Sequence, residues 1–283
     1  MDFIYQIKAF ILGIVEGLTE FLPISSTGHL IIAGDLLNFN GPEVNTFSIA
    51  IQAGAIFAVC WFYRVKLWNI LKHLLVPGKD QQLAINIVTA FLPAAVLGVL
   101  LADLIEELLF NPVTVAAALV VGGFIIFWIE NLHAKRTYAP RVMAMEDMTV
   151  KDAFLVGCMQ CIAMIPGTSR SGATIIGGLV LGLSRKAATE FSFFLAIPTI
   201  FGATVYSLAK IFLRVSNEHS FVWTTDMTVG FIVGFIVSFI SALIVVKWLL
   251  RYVSTNDFKS FGWYRIIFGL VILITHFTGL VQW

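Results

Sequence analysis

Two short stretches of this chain hold residue types and spacings that can do chemistry. In the first, Glu16 and Glu20 stand four residues apart, and Pro23 leads into Ser25, Ser26, Thr27, Gly28 and His29. On a helix the i, i+4 spacing puts both carboxylates on one face, where like charges repel. The flanks are apolar, and an ionised group inside a membrane is costly. A proton, a cation between the two acids or a basic group opposite must compensate. Pro23 breaks the helix, and the freed backbone N–H groups ahead of a new helix start form an anion cradle. A Ser or Thr there can act as nucleophile or phosphate donor, and His29 can move protons near neutral pH.

The second stretch runs Pro166, Gly167, Thr168, Ser169, Arg170, Ser171, Gly172, Ala173, Thr174. An Arg flanked by hydroxyls suits bidentate binding of phosphate, and glycines let the backbone approach the anion closely. The alternative, an Arg snorkelling from a surface loop, fits poorly with the repeat geometry described below.

The elements that must position these groups are membrane helices. Of 283 residues, 59% are apolar and 12% charged, about half the charged share of a soluble domain, and the mean hydropathy is +0.91. A net charge of +1 gives no reason to expect a nucleic-acid partner. Cys60, Cys158 and Cys161 lie in apolar runs. The C-x-x-C spacing of the last two lacks the further ligands that zinc needs, and all three read as packing residues. The N-terminus lacks the basic start and cleavage site of a signal peptide and reads as part of the fold.

Six runs are long enough to cross a bilayer: 44–63, 83–102, 112–132, 188–213, 227–250 and 263–282. Regions 3–37 and 152–183 are instead short apolar segments around a Pro/Ser/Gly break, the pattern of re-entrant hairpins. They are copies. At a constant offset of 144 residues Ala9, Phe10 and Gly13 fall on Ala153, Phe154 and Gly157, and Ser25, Gly28, Ile31 and Ile32 fall on Ser169, Gly172, Ile175 and Ile176.

The fold expected is an all-α polytopic membrane protein, one domain over 1–283, with a first repeat at 1–144 and a second at 145–283. Each half holds one re-entrant hairpin and three crossings. An odd number of crossings inverts the second half, as in many transporter folds. Lys/Arg excess in 64–82 (Arg64, Lys66, Lys72, Lys79) and 133–151 (Lys135, Arg136, Arg141, Lys151) marks the cytoplasmic side, whereas 103–111 carries Asp103, Glu106 and Glu107. Both termini are then outside. The repeat fails informatively: Glu16 falls on Gln160, Glu20 on Met164 and Ser26 on Arg170. One half supplies acids and a His, the other the cation, as in a single composite site.

At these residues the sequence resembles the bacterial undecaprenyl-diphosphate phosphatase family linked to bacitracin resistance. The family pattern is E-x-x-x-E running into P-x-S-S-T-G-H, here Glu16 to His29, followed by P-G-x-S-R-S-x-x-T, here Pro166 to Thr174. No defining position departs from it, and the likeness covers the whole chain. The resemblance implies hydrolysis of undecaprenyl diphosphate to the monophosphate carrier lipid of cell-wall synthesis, with a divalent cation, Mg²⁺ or Ca²⁺. It implies a multi-pass protein of the bacterial inner membrane among membrane lipids, open to the outer face, with bacitracin acting by sequestering the lipid substrate; a homo-oligomer is compatible with it. Carried over by residue, Ser26 is the nucleophile, His29 a proton-transfer partner, and Arg170 clamps the diphosphate with Ser169, Ser171 and Thr174. Glu16 and Glu20 hold the cation or tune the protons. Ser25 and Thr27 are phosphate donors or loop supports.

Two rivals use the same residues. Lipid phosphatases of the acid-phosphatase type carry S-R-x5-H, but the sixth residue after Arg170 is Ile176 and the motif order is reversed. A flippase for the same carrier lipid would need the anion site without the nucleophile.

Overall fold

A computed structural model describes residues 3–39, 44–135, 139–215 and 224–281; Arg136 lies outside them. The chain order is α1 (Phe3–Thr19), α2 (Ser26–Leu36), α3 (Val44–Phe62), α4 (Arg64–Lys72), α5 (Lys79–Leu109), α6 (Pro112–Ala134), α7 (Val150–Ile162), α8 (Arg170–Val180), α9 (Arg185–Val215), α10 (Thr225–Val253) and α11 (Lys259–Thr278). Five of these are long and apolar enough to span a membrane: α5, α6, α9, α10 and α11. A sixth span comes from α3 taken with α4, which bends away from it by 74°. The six runs expected to cross fall on α3, α5, α6, α9, α10 and α11, and the two regions expected as hairpins hold the short helices α1, α2, α7 and α8.

Two boundaries differ from the sequence reading. Segment 64–82, expected as a loop, holds helix α4. Segment 103–111, also expected as a loop, is mostly the end of α5, because nothing interrupts the helix until Asn111 and Pro112 cap the next one.

Several of the extensive helix pairings recur when the halves are exchanged, although α8·α9, α1·α3, α9·α10 and α6·α8 do not recur to the same extent. α1 runs along α10 as α7 runs along α5, α10 packs on α3 as α5 packs on α9, and α3·α9 and α6·α11 pair like with like. α2 and α8 coincide residue for residue at the 144 offset. The close approaches rest on matching glycines. A Cβ on Gly13 would lie 2.7 Å from the Gly234 carbonyl oxygen, and one on Gly157 would lie 2.8 Å from Ala90 Cα. No larger residue allows those backbones to touch.

Burial is that of a lipid-solvated protein. Val99, Phe124, Trp128, Ile244 and Ile267 are exposed, while Glu16, Ser171, Thr174, Ser192 and Arg265 are buried. Apolar surface faces hydrocarbon and polar groups turn inward. At one end, Lys66 pairs with Glu146, Lys79 with Asp147 at 2.7 Å, and Arg141 with Asp152 at 2.5 Å. The two basic segments of the sequence therefore lie at the same end of the bundle. There Asp152 also closes a capping box with Thr149 at the start of α7. Burial alone would raise the Asp152 carboxyl, but hydrogen bonds from Arg141 and Thr149 hold it below its ordinary value.

Candidate functional site

The breaks between α1 and α2 and between α7 and α8 meet inside the bundle. Pro23 ends the first turn, and the chain enters α2 through Ser25 at φ 67°. The second turn enters α8 through Ser169 at φ 71°. A non-glycine residue in this region stores about 1–3 kcal/mol of strain, and here it recurs at equivalent positions. Both turns bring a helix N-terminus, whose first N–H groups have no partner within the helix, to the same space.

Loop-to-loop hydrogen bonds hold the turns together. Ser171 Oγ donates to the Leu22 carbonyl at 2.8 Å, and Ser169 Oγ lies 3.4 Å from the same oxygen. Ser169 Oγ also accepts from the Gly172 amide at 3.1 Å, capping α8. Thr174 Oγ1 sits 2.7 Å from Ser192 Oγ on α9.

Glu20 connects the two chemistries. Its Oε2 accepts a hydrogen bond from Ser26 Oγ at 2.6 Å, and its Oε1 accepts from Arg170 Nη2 at 3.1 Å. Arg170 Nη1 donates to the Ser192 carbonyl at 3.0 Å. Its buried Nε has no partner, so a donor remains for an anion. Glu16 is fully buried with both carboxylate oxygens unpartnered, a costly state that calls for a proton or a cation.

Glu20, Ser25, Ser26, Thr27, Ser169 and Arg170 all line one cavity of about 480 Å³, which continues between α5 and α9. His29 is elsewhere. Its Nδ1 is 2.7 Å from the Ser25 carbonyl and its Nε2 is 2.6 Å from the Tyr264 hydroxyl. The ring stacks on Phe268 at 3.9 Å between centroids. A carbonyl only accepts, so Nδ1 carries the proton and Nε2 accepts from Tyr264. The sequence reading put His29 beside Ser26 as its proton partner; the geometry gives the Ser26 proton to Glu20.

The sequence reading gave no role to Arg265. It is 1% exposed and donates to five carbonyls: Pro23 at 3.2 Å in the first turn, Gly167 at 3.1 Å and Thr168 at 2.8 Å in the second, Ala118 at 3.0 Å and Leu119 at 3.2 Å on α6. All its donors are used, and no carboxylate is among the partners. A lone cation in the apolar run 263–282 was the signal available, since intramembrane charges mark functional regions.

Comparison with known proteins matches this arrangement to one family. The family model described as "Bacitracin resistance protein BacA" matches residues 9–271. A protein of Herminiimonas arsenicoxydans named undecaprenyl-diphosphatase is 55% identical over all of this chain and 99% of its own. Proteins of the same name from Janthinobacterium sp. (strain Marseille) and Nitrosomonas europaea are 56% and 53% identical, with the same coverage. At such identity, and with the match running through both loops, the chain belongs to the BacA bacitracin resistance family.

Proposed function

We propose that this chain hydrolyses undecaprenyl diphosphate to undecaprenyl phosphate and inorganic phosphate, acting as a hydrolase on a phosphorus anhydride in the membrane. The observation that carries the reading is the single carboxylate of Glu20 bridging a serine hydroxyl and an arginine at the wall of the cavity. In this reading Ser26 Oγ attacks the terminal phosphorus and Glu20 takes its proton. The bond from that phosphorus to the bridging oxygen breaks, and the polyprenyl monophosphate leaves. Glu20 passes the Ser26 proton to the departing monophosphate. Water then attacks the phosphoserine phosphorus, Glu20 takes its proton and returns it to Ser26 Oγ as that P–O bond breaks, and phosphate departs.

Arg170 binds the charge that spreads over the phosphoryl oxygens, the largest contribution in reactions of this kind. Ser25 and Thr27 add donors from the first turn, while Ser169, Ser171 and Thr174 keep Arg170 and its helix start in place. His29 is a positioning residue, holding the Ser25 carbonyl and with it the strained turn. A divalent cation would be held by Glu16, whose two carboxylate oxygens have no partner, and by Glu20 beside the cavity. The described residues include no cluster of three His, Cys, Asp or Glu, so water or substrate would have to complete the ligand set. Bound there, Mg²⁺ or Ca²⁺ would neutralise phosphate charge.

The halves take opposite orientations in this reading, with 64–82 and 133–151 in the cytoplasm and the cavity open to the outer face of the inner membrane. Consuming the diphosphate lipid that bacitracin sequesters would account for resistance. Purified protein in nanodiscs, given undecaprenyl diphosphate with no gradient, should release phosphate. Lipid movement between leaflets without phosphate release would favour a flippase instead.

A further inference from the structure

The cavity is polar at one end and apolar at the other, and its apolar walls are one face each of two helices. Phe91, Ala94, Ala95, Gly98 and Val99 follow the i, i+3, i+4, i+7, i+8 spacing on α5. Gly202, Ala203 and Tyr206 face them from α9. Most of these are small, and the outer members open to lipid, Val99 and Tyr206 being exposed.

Gly98 is the informative residue. A glycine inside a helix is destabilising relative to Ala. At Gly13 and Gly157 a neighbouring backbone explains it, but a Cβ on Gly98 would meet nothing within 4 Å. Among the described residues, none uses the space that its missing side chain leaves.

A polar group marks the neck of this region. Gln160 is 2% exposed and lines the cavity. Its Oε1 accepts from Thr199 at 3.2 Å, while its buried Nε2 has no partner. A buried amide donor left unpaired is costly unless a ligand completes it. Thr199 stands two turns, about 10 Å, beyond the Arg170 partner Ser192 along α9. Gln160 therefore sits where the polar wall gives way to the apolar one.

We infer that the slot between α5 and α9 binds the phosphate-proximal part of the isoprenoid tail and leads it out to the lipid. Gly98 keeps the slot open, and the Gln160 amide donates to the proximal phosphate. The inference rests on the polyprenyl diphosphate reading above. The cavity holds the head group and the first part of the tail, and the rest remains in the bilayer, where burial of each CH₂ is already satisfied.

The test is photolabelling of the full-length protein in nanodiscs by a polyprenyl diphosphate with a benzophenone on its first isoprene units. The label is expected on 91–99 and 199–206. Gly98→Leu, whose Cβ would meet no atom within 4 Å and whose side chain extends into the slot, should cut that labelling at least fivefold and raise KM for the long-chain lipid, with kcat changed less than KM. Ala203→Leu reads the same slot from the opposite wall, should the first variant not assemble. Val96→Leu, on α5 but outside the cavity, is the control and should label as wild type does. Label elsewhere, or undiminished label in both slot variants, would overturn the inference. Labelling at α5 and α9 without phosphate release would instead sink the hydrolase reading and leave the slot standing.

Discussion

The turn entering α2 and the turn entering α8 take the same backbone path, with a serine at φ 67° in one and at φ 71° in the other. Their side chains divide the work. In the second turn Ser169 spends its hydroxyl on capping α8 and on reaching Leu22, whereas Ser25 makes no side-chain cap bond to α2. One residue on, the first turn presents the hydroxyl of Ser26 and the second the guanidinium of Arg170. Glu20 stands between them, and its repeat partner is the uncharged Met164. The two turns share a strained backbone path and bring helix N-termini to one space. In the function proposed above, a few differing side chains make one turn the reacting part and the other the charge clamp. Two identical acidic turns would have repelled each other in a medium that screens little.

That division is open to breaking from either side. Removing the reacting hydroxyl should have the largest effect. Ser26→Ala is expected to lower kcat by about 10³-fold or more while the diphosphate lipid still binds, because a lost nucleophile affects the chemical step. Single-turnover rates with separate binding measurements would check it, and a variant that keeps much of its rate would point to direct attack by water.

The clamp comes next. Arg170→Lys keeps the charge but loses the planar fork, and an expected fall of about 10²–10³-fold matches the loss of one transition-state donor. An active Lys variant would show that a point charge suffices and that the second turn is less specialised than its geometry implies.

Arg265 belongs to neither turn and holds both. Arg265→Lys should leave several buried carbonyls short of donors and cost about 2–4 kcal/mol of stability, read as a lowered thermal midpoint in detergent. The smallest effect is expected at His29. As a positioning residue, His29→Ala should slow the reaction about tenfold, below the 10²–10⁴-fold of a lost acid–base group, and leave the shape of the pH–kcat profile unchanged. A larger loss together with a missing limb in that profile would return His29 to proton transfer.

Much of this was legible in the sequence. The offset of 144 located both turns, and the hydropathy runs fall on α3, α5, α6, α9, α10 and α11, five of which are long and apolar enough to span a membrane. Ser26, Glu20 and Arg170, read from motif chemistry, do come together. What stayed hidden depends on distance in the chain and on single residues. The Arg265 partners Pro23 and Thr168 lie 242 and 97 residues away, and a lone Arg barely changes the average hydropathy of its run. The break at Tyr63 that turns α4 away carries no Pro or Gly. His29 looked like the neighbour of Ser26 because three residues separate them. On a helix that spacing nevertheless left its ring turned toward Tyr264 and Phe268 on α11.

The five-carbonyl cage of Arg265 has a kinetic consequence. Because one guanidinium grips both turns and α6, the turns have little freedom to move relative to each other, and the entropy of aligning them was spent when the chain folded. Binding of the head group then orders almost nothing new, so its association should show a small heat-capacity change for the protein part and no slow isomerisation step. In the function proposed above the lipid enters a fixed socket, and the expected filling rate is that of diffusion in the plane of the bilayer.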